Sequence, residues 1–96
     1  MRDDRVSTIV QALVTYLRAH PFACDTPNGI ARWWLEKQEF VSMEALLSAL
    51  SFLMQQGVIE EMIALDGRRR YRRVGNDEAL DAAVSASRDS ANPLSH

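Results

Sequence analysis

"FVSMEALLSALSFLMQQGVIEEMIALDGRRRYRRV", residues 40–74, decides how this chain is read. Ser42 opens the stretch as a helix N-cap, and Glu44 stands in the first turn, where the helix dipole favours a carboxylate. Val41 is placed to staple onto Leu46, and Gly57 supplies a left-handed stop. On a helical wheel Met43, Leu46, Leu47, Leu50, Leu53 and Met54 form the stripe expected to be buried. Ala45, Ser48, Ala49, Phe52 and Gln55 take the other side. After the glycine the residue types change: Val58, Ile59 and Ile63 favour strand, and Asp66-Gly67 tolerates the positive φ values of a type I′ two-residue turn. The expected product is a β-hairpin. With that loop, Leu65 faces Arg68, Ile63 faces Arg70, Met62 faces Tyr71, Glu61 faces Arg72 and Glu60 faces Arg73, so two opposite-charge pairs stand across from each other. The same register divides the apolar residues, with Ile59, Ile63 and Val74 on one face and Val58, Met62 and Tyr71 on the other. It therefore calls for a bulge, or for both faces to be covered near the hairpin root.

Upstream, Val6, Ile9, Val10, Leu13, Val14 and Leu17 recur at helical spacing with Ser7, Thr8, Gln11, Thr15 and Arg18 opposite, which predicts an amphipathic helix that Pro21 stops. A second helix start follows, with Thr26 or Asp25 as cap and Pro27 at the first helical position. Ile30, Ala31, Trp34 and Leu35 fall on its inner face, and Gly29 weakens it locally. Of the adjacent tryptophans, Trp34 reads as core and Trp33 as a half-exposed interface anchor. Downstream, Asn76 caps a short helix over residues 77–86 with Leu80, Ala83 and Val84 as its apolar edge, and residues 87–96 read as a disordered tail.

At 96 residues, 47% hydrophobic and 25% charged, the chain fits one small globular domain. One cysteine, Cys24, excludes an internal disulfide, and the N-terminal residues lack the basic and apolar regions of a signal peptide, so a cytoplasmic setting is expected. No apolar run approaches the ~20 residues of a membrane span. Cys24 and His20 lack the further ligands a zinc site needs, and Cys24 reads as a half-buried small residue. No Gly-rich phosphate loop and no nucleophile beside a base is present, so neither an enzyme nor a cofactor is expected. The net charge of −2 conceals a local excess: residues 66–73 hold five arginines and one aspartate. Any attraction for polyanions is local to that segment.

The order helix, short helix, turn, longer helix ending in glycine, apolar-acidic strand, Asp-Gly turn, basic strand resembles a winged helix-turn-helix domain of the bacterial regulator type. The residues that carry the resemblance are "IARWWLEKQEFVSMEALLSALSFLMQQGVIE" and "EEMIALDGRRRYRR", with Gly57-Val58-Ile59-Glu60 at the passage from helix into wing. It implies a mainly α fold with a small β-hairpin (α+β): a three-helix core plus two-stranded wing over residues 1–76, with a short C-terminal helix and tail over 77–96. It also implies a small transcription regulator that binds double-stranded DNA as a homodimer paired through its first or last helix. The recognition helix would span residues 43–56, with Ser42, Glu44, Ala45 and Ser48 toward base edges, and the wing residues 58–74. Arg68, Arg69 and Arg70 would touch phosphate or the minor groove, with Arg72 and Arg73 partly neutralised by Glu61 and Glu60, and Tyr71 would brace the wing. Arg32 and Lys37 could approach the backbone from the second helix. The alternative is a winged-helix module that binds a protein through Phe52, Ala49, Trp33 and the wing, because the third helix has no Lys or Arg with which to hold DNA.

Overall fold

The computed structural model describes residues 4–35 and 42–91. Helix α1 (Asp4–Ala19) is followed by a two-residue strand β1 (Cys24–Asp25), then α2 (Pro27–Gly29), which passes directly into a π-helical turn (Ile30–Trp34). Next come α3 (Met43–Gln55), the hairpin strands β2 (Ile59–Ile63) and β3 (Arg69–Arg73), and α4 (Asp77–Ala91). The chain is thus mixed α and β, with a three-stranded antiparallel sheet in the order β1-β3-β2.

The stripe read for α1 is the buried one: Ile9, Val10, Leu13, Val14 and Leu17 lie in the core and Val6 packs at its edge. The chain then turns over Pro21 and Phe22, with the Ala23 N–H donating to the His20 carbonyl at 3.1 Å. β1 was not foreseen, since two residues are too few to show an alternation. It forms because β3 offers it an edge, with Cys24 opposite Arg72 and Asp25 opposite Tyr71. Cys24 is exposed there, not half-buried.

Thr26 caps α2, its hydroxyl accepting from the Gly29 N–H at 3.2 Å, and Pro27 takes the first helical turn. The chain then widens, and the Leu35 N–H donates to the Ile30 carbonyl at 3.1 Å, five residues back. This winding buries Ile30, Trp34 and Leu35 together and leaves Trp33 58% exposed. Trp34 stacks on Tyr16 of α1 with ring centroids 5.0 Å apart, and Tyr16 in turn meets His20 at 4.3 Å.

Ser42 caps α3 through the Ala45 N–H at 3.1 Å, and Gly57, at φ +73, follows its C-terminus. Val41 and Lys37, like the residues beyond 91, lie outside the described residues. The buried side of α3 is Ala45, Leu46, Ala49, Leu50 and Leu53. Leu47 (44%) and Met43 (39%) are exposed, so the helix is turned relative to the reading by hydrophobicity alone. Apolar residues occur on several sides of this helix. Its phase is set by fit: alanines on the inner side let α1 and the strands approach closely.

The hairpin also differs from its expected register. Ile59 pairs with Arg73, Glu60 with Arg72, Glu61 with Tyr71, Met62 with Arg70 and Ile63 with Arg69, one residue removed from the two-residue loop scheme. The loop holds three residues, Leu65 to Gly67. The Gly67 N–H donates to the Ala64 carbonyl and the Ala64 N–H to the Arg68 carbonyl, both at 2.9 Å. Gly67 takes φ +80, as the third position of such a loop requires. The slip puts Ile59 and Tyr71 on one face, and both are buried at 3% exposure. Val58 is buried as well, so both faces are covered at the root. Because a Cβ at Gly67 meets nothing within 4 Å, Gly67→Ala should cost only the strain of left-handed backbone, about 1–2 kcal/mol. A urea unfolding midpoint that does not move would contradict this turn.

α4 starts where expected, with Asn76 Oδ1 accepting from the Ala79 N–H at 2.9 Å. It runs past residue 86 to Ala91, with Ser87 buried, so the start of the segment read as tail is helix. Leu80 and Ala83 belong to the common core, and the helix packs on α1, helped by an Arg18–Asp81 ion pair and the Ser7–Ser87 hydroxyl contact at 3.4 Å. The extension follows from this packing: α1 offers a surface long enough to hold the additional turn. No helix among the described residues is long and apolar enough to cross a membrane.

Candidate functional site

Two surfaces hold most of the residues singled out from the sequence: the arginine hairpin and the outward face of α3. In the hairpin, Ile59–Arg73 carries five arginines against Glu60, Glu61 and Asp66. The register brings most of them together in pairs. Arg72 bonds Glu60, Arg70 reaches Asp66 at 3.3 Å, and Arg69 comes within 3.9 Å of Glu61. The Arg68 side chain meets no carboxylate among the described residues, while its backbone N–H donates to Asp66 at 3.0 Å. That bond, joined by the Arg70 guanidinium, holds the Asp66 carboxyl below its ordinary value of 3.8. Arg70 is therefore not a free cation of the tip, and Arg72 faces Glu60 where Glu61 was expected.

Arg73 departs furthest from expectation. Its side chain is only 14% exposed, and its guanidinium donates to the Gly75 carbonyl at 2.6 Å, the Leu17 carbonyl at 3.3 Å and Asp77 at 2.9 Å. It ties the hairpin root to the end of α1 and the start of α4, and Glu60 is not its partner. The planar fork of arginine suits this three-way clamp, which takes up three of its five N–H donors.

Tyr71 braces the hairpin as expected, its hydroxyl donating to Glu61 at 2.9 Å. Burial pushes this hydroxyl above its ordinary value of 10.0, and the bond to the Glu61 carboxylate adds to the rise. The folded protein thus keeps the proton at a pH where the unfolded chain releases it. The stabilisation is whole below pH 10.0 and is lost as pH rises through the folded midpoint. Urea unfolding on either side of that pH should show an alkaline loss of stability that is smaller in Tyr71→Phe. An equal loss in both proteins would remove Tyr71 as its source.

On α3, Glu44, Leu47, Ser48, Ser51, Phe52 and Gln55 line a shallow outward depression of about 480 Å³. Glu44 and Ser48 are exposed, as a contact role requires. Ala45, at 6%, and Ala49, at 0%, are in the core and cannot meet a base edge or a partner, which corrects both assignments. The Ser42 hydroxyl is engaged as the α3 cap. Phe52 is half-buried, packed against the core at one edge of the depression. Trp33 lies elsewhere, beside Arg32, Asn28 and Gly29 around a second shallow depression of about 420 Å³ that shares no residue with the first. Leu47, like Met43, was read as buried and is exposed. The alanines Ala45 and Ala49, four apart and flanked by Leu46 and Leu50, were the available signal, since such a face packs closely and turns Leu47 outward.

Comparison with protein-family models, curated proteins and solved structures returns no match to this chain.

Proposed function

We propose that this chain is a small winged-helix module that acts by protein contact through the outward face of α3. The element order supports the fold part of this reading: helix, short strand, helix, helix, hairpin, with β1 completing a three-stranded sheet. One observation carries the functional part. The face from Glu44 to Gln55 presents a carboxylate, two serines and a glutamine between the exposed Leu47 on one flank and Phe52 on the other, with no cation. A face that enters the major groove needs cationic side chains nearby to neutralise phosphates, whereas a cation-free strip of small polar side chains flanked by Leu47 and Phe52 suits a protein contact.

A second reading, a transcription regulator bound to duplex DNA, is favoured by the exposure of Arg68 and Arg69 at the hairpin turn. Two cations give a slope of only about −2 in log K against log salt. Fluorescence anisotropy with a mixed-sequence duplex at low and moderate salt separates the readings. Protein contact expects little binding and a shallow slope. A slope of about −5 or steeper that disappears in Arg68→Glu with Arg69→Glu would make nucleic acid the ligand and end the protein-contact reading. Cross-linking in an extract of the source cells should capture a partner with the unaltered chain and lose it with Leu47→Asp.

A further inference from the structure

The outward face of α3 is symmetric about its own midpoint, which lies between Ala49 and Leu50. Ser48 and Ser51 stand equally far from that point, as do Leu47 and Phe52, and Glu44 and Gln55. We propose that two copies of this chain pair through this face, their α3 helices antiparallel about a two-fold axis. The proposal rests on the protein-contact reading above and names the partner as a second copy.

The geometry of an antiparallel pair follows from the helix. Glu44, Ser48, Ser51 and Gln55 fall within one narrow strip along the outward side, with Leu47 on one flank and Phe52 on the other. With the midpoints superposed, Ser48 meets Ser51 of the second copy and Glu44 meets Gln55 of the second copy. The serines let the two backbones approach closely at the centre. At each end a carboxylate receives an amide N–H. The two Leu47 side chains close one flank of the seam and the two Phe52 side chains the other. The two Glu44 carboxylates lie at opposite ends, about 16 Å apart along the axis, so like charges do not meet. An isologous contact requires self-complementarity of this kind: each group must find its complement on the same patch.

Two other surfaces fit a second copy less well. The outer edge of β2 is open, but symmetric strand pairing about its centre would set Glu61 against Glu61 of the second copy. The apolar sides of α1 and α4 are spent on the common core, so pairing through the first or last helix finds no such seam. A seam of one helix per copy is smaller than a standard interface, so the dimer should form reversibly in the micromolar range or above.

The test is sedimentation equilibrium of the full chain from micromolar to millimolar concentration, with three variants on exposed helix positions whose folding is checked by circular dichroism. The apparent mass should rise with concentration toward that of a dimer. Ser48→Arg should stay monomeric, because the long cation cannot fit against Ser51 of the second copy. Gln55→Lys should tighten the dimer by roughly threefold to tenfold, since it gives Glu44 an ion-pair partner twice over. Adding Glu44→Lys to Gln55→Lys should reverse that gain. A monomer at every concentration would overturn the proposal, and so would a dimer indifferent to these changes. The outcome is distinguishable from failure of the protein-contact reading. A monomer with shallow or no DNA binding leaves that reading intact with a different partner, whereas steep DNA binding that Ser48→Arg strengthens ends both.

Discussion

Leu46→Ala is expected to lower the unfolding free energy by about 2–5 kcal/mol, while Leu47→Ala, one residue on, leaves it within about 0.5 kcal/mol. Both residues are leucines in the middle of α3, and hydrophobicity alone puts both inside. Leu46 is fully buried and Leu47 is 44% exposed. Truncating the first removes three carbon atoms from a close-packed core and leaves a void that neighbours fill only in part. Truncating the second removes surface already shared with water, and alanine is the better helix former, which offsets part of the loss. Denaturant unfolding of the two variants, with unchanged m values, reads the difference directly. Equal destabilisation would mean that α3 is turned the other way, with Leu47 inside, and the seam proposed on its outward face would vanish with it.

Arg73→Met should cost about 1–3 kcal/mol, whereas Arg68→Met should be silent in unfolding and Arg72→Met nearly so. The methionine keeps the length and apolar stem of the arginine but removes the donors. The Leu17 and Gly75 carbonyls lose a partner in a place that the surrounding elements shield, and Asp77 loses its cation. Arg72 makes an exposed pair with Glu60, of the kind worth little at a surface. The Arg68 side chain meets no carboxylate among the described residues, and its backbone bond to Asp66 survives the change. Thermal or denaturant unfolding of the three variants would show whether five arginines close in sequence do two different jobs. If Arg73→Met unfolds like the parent chain, the clamp at the hairpin root contributes nothing and Arg73 returns to the set available for a ligand.

Much of the architecture was legible in the sequence because it depends on local physics. The α1 stripe, the caps Thr26, Ser42 and Asn76, the burial of Trp34 beside an exposed Trp33, and the hairpin itself each follow from spacing, side-chain hydrogen bonding or turn chemistry within a few residues. The candidate site was legible only in part. Glu44 and Ser48 are exposed on α3 as expected, but Ala45 and Ala49 exchange places with Leu47 because a helix with apolar groups on several sides has more than one possible inner face.

By itself the sequence determined the caps that open α2, α3 and α4, that residues 58–74 turn back as a hairpin, and that the charge excess is confined to that hairpin; each is a contest settled over a few neighbouring residues. Tertiary structure alone decided the phase of α3, the one-residue register of the hairpin, the strand β1, the extension of α4 to Ala91 and the division of the arginines between solvent and clamp. Each of these depends on a surface contributed from elsewhere in the chain. α1 makes room for alanines and not for Leu47, Ile59 and Tyr71 must share one buried face, and the carbonyls that Arg73 meets at Leu17 lie 56 residues away. Local preference is nearly indifferent between the alternatives at these points, so packing makes the choice.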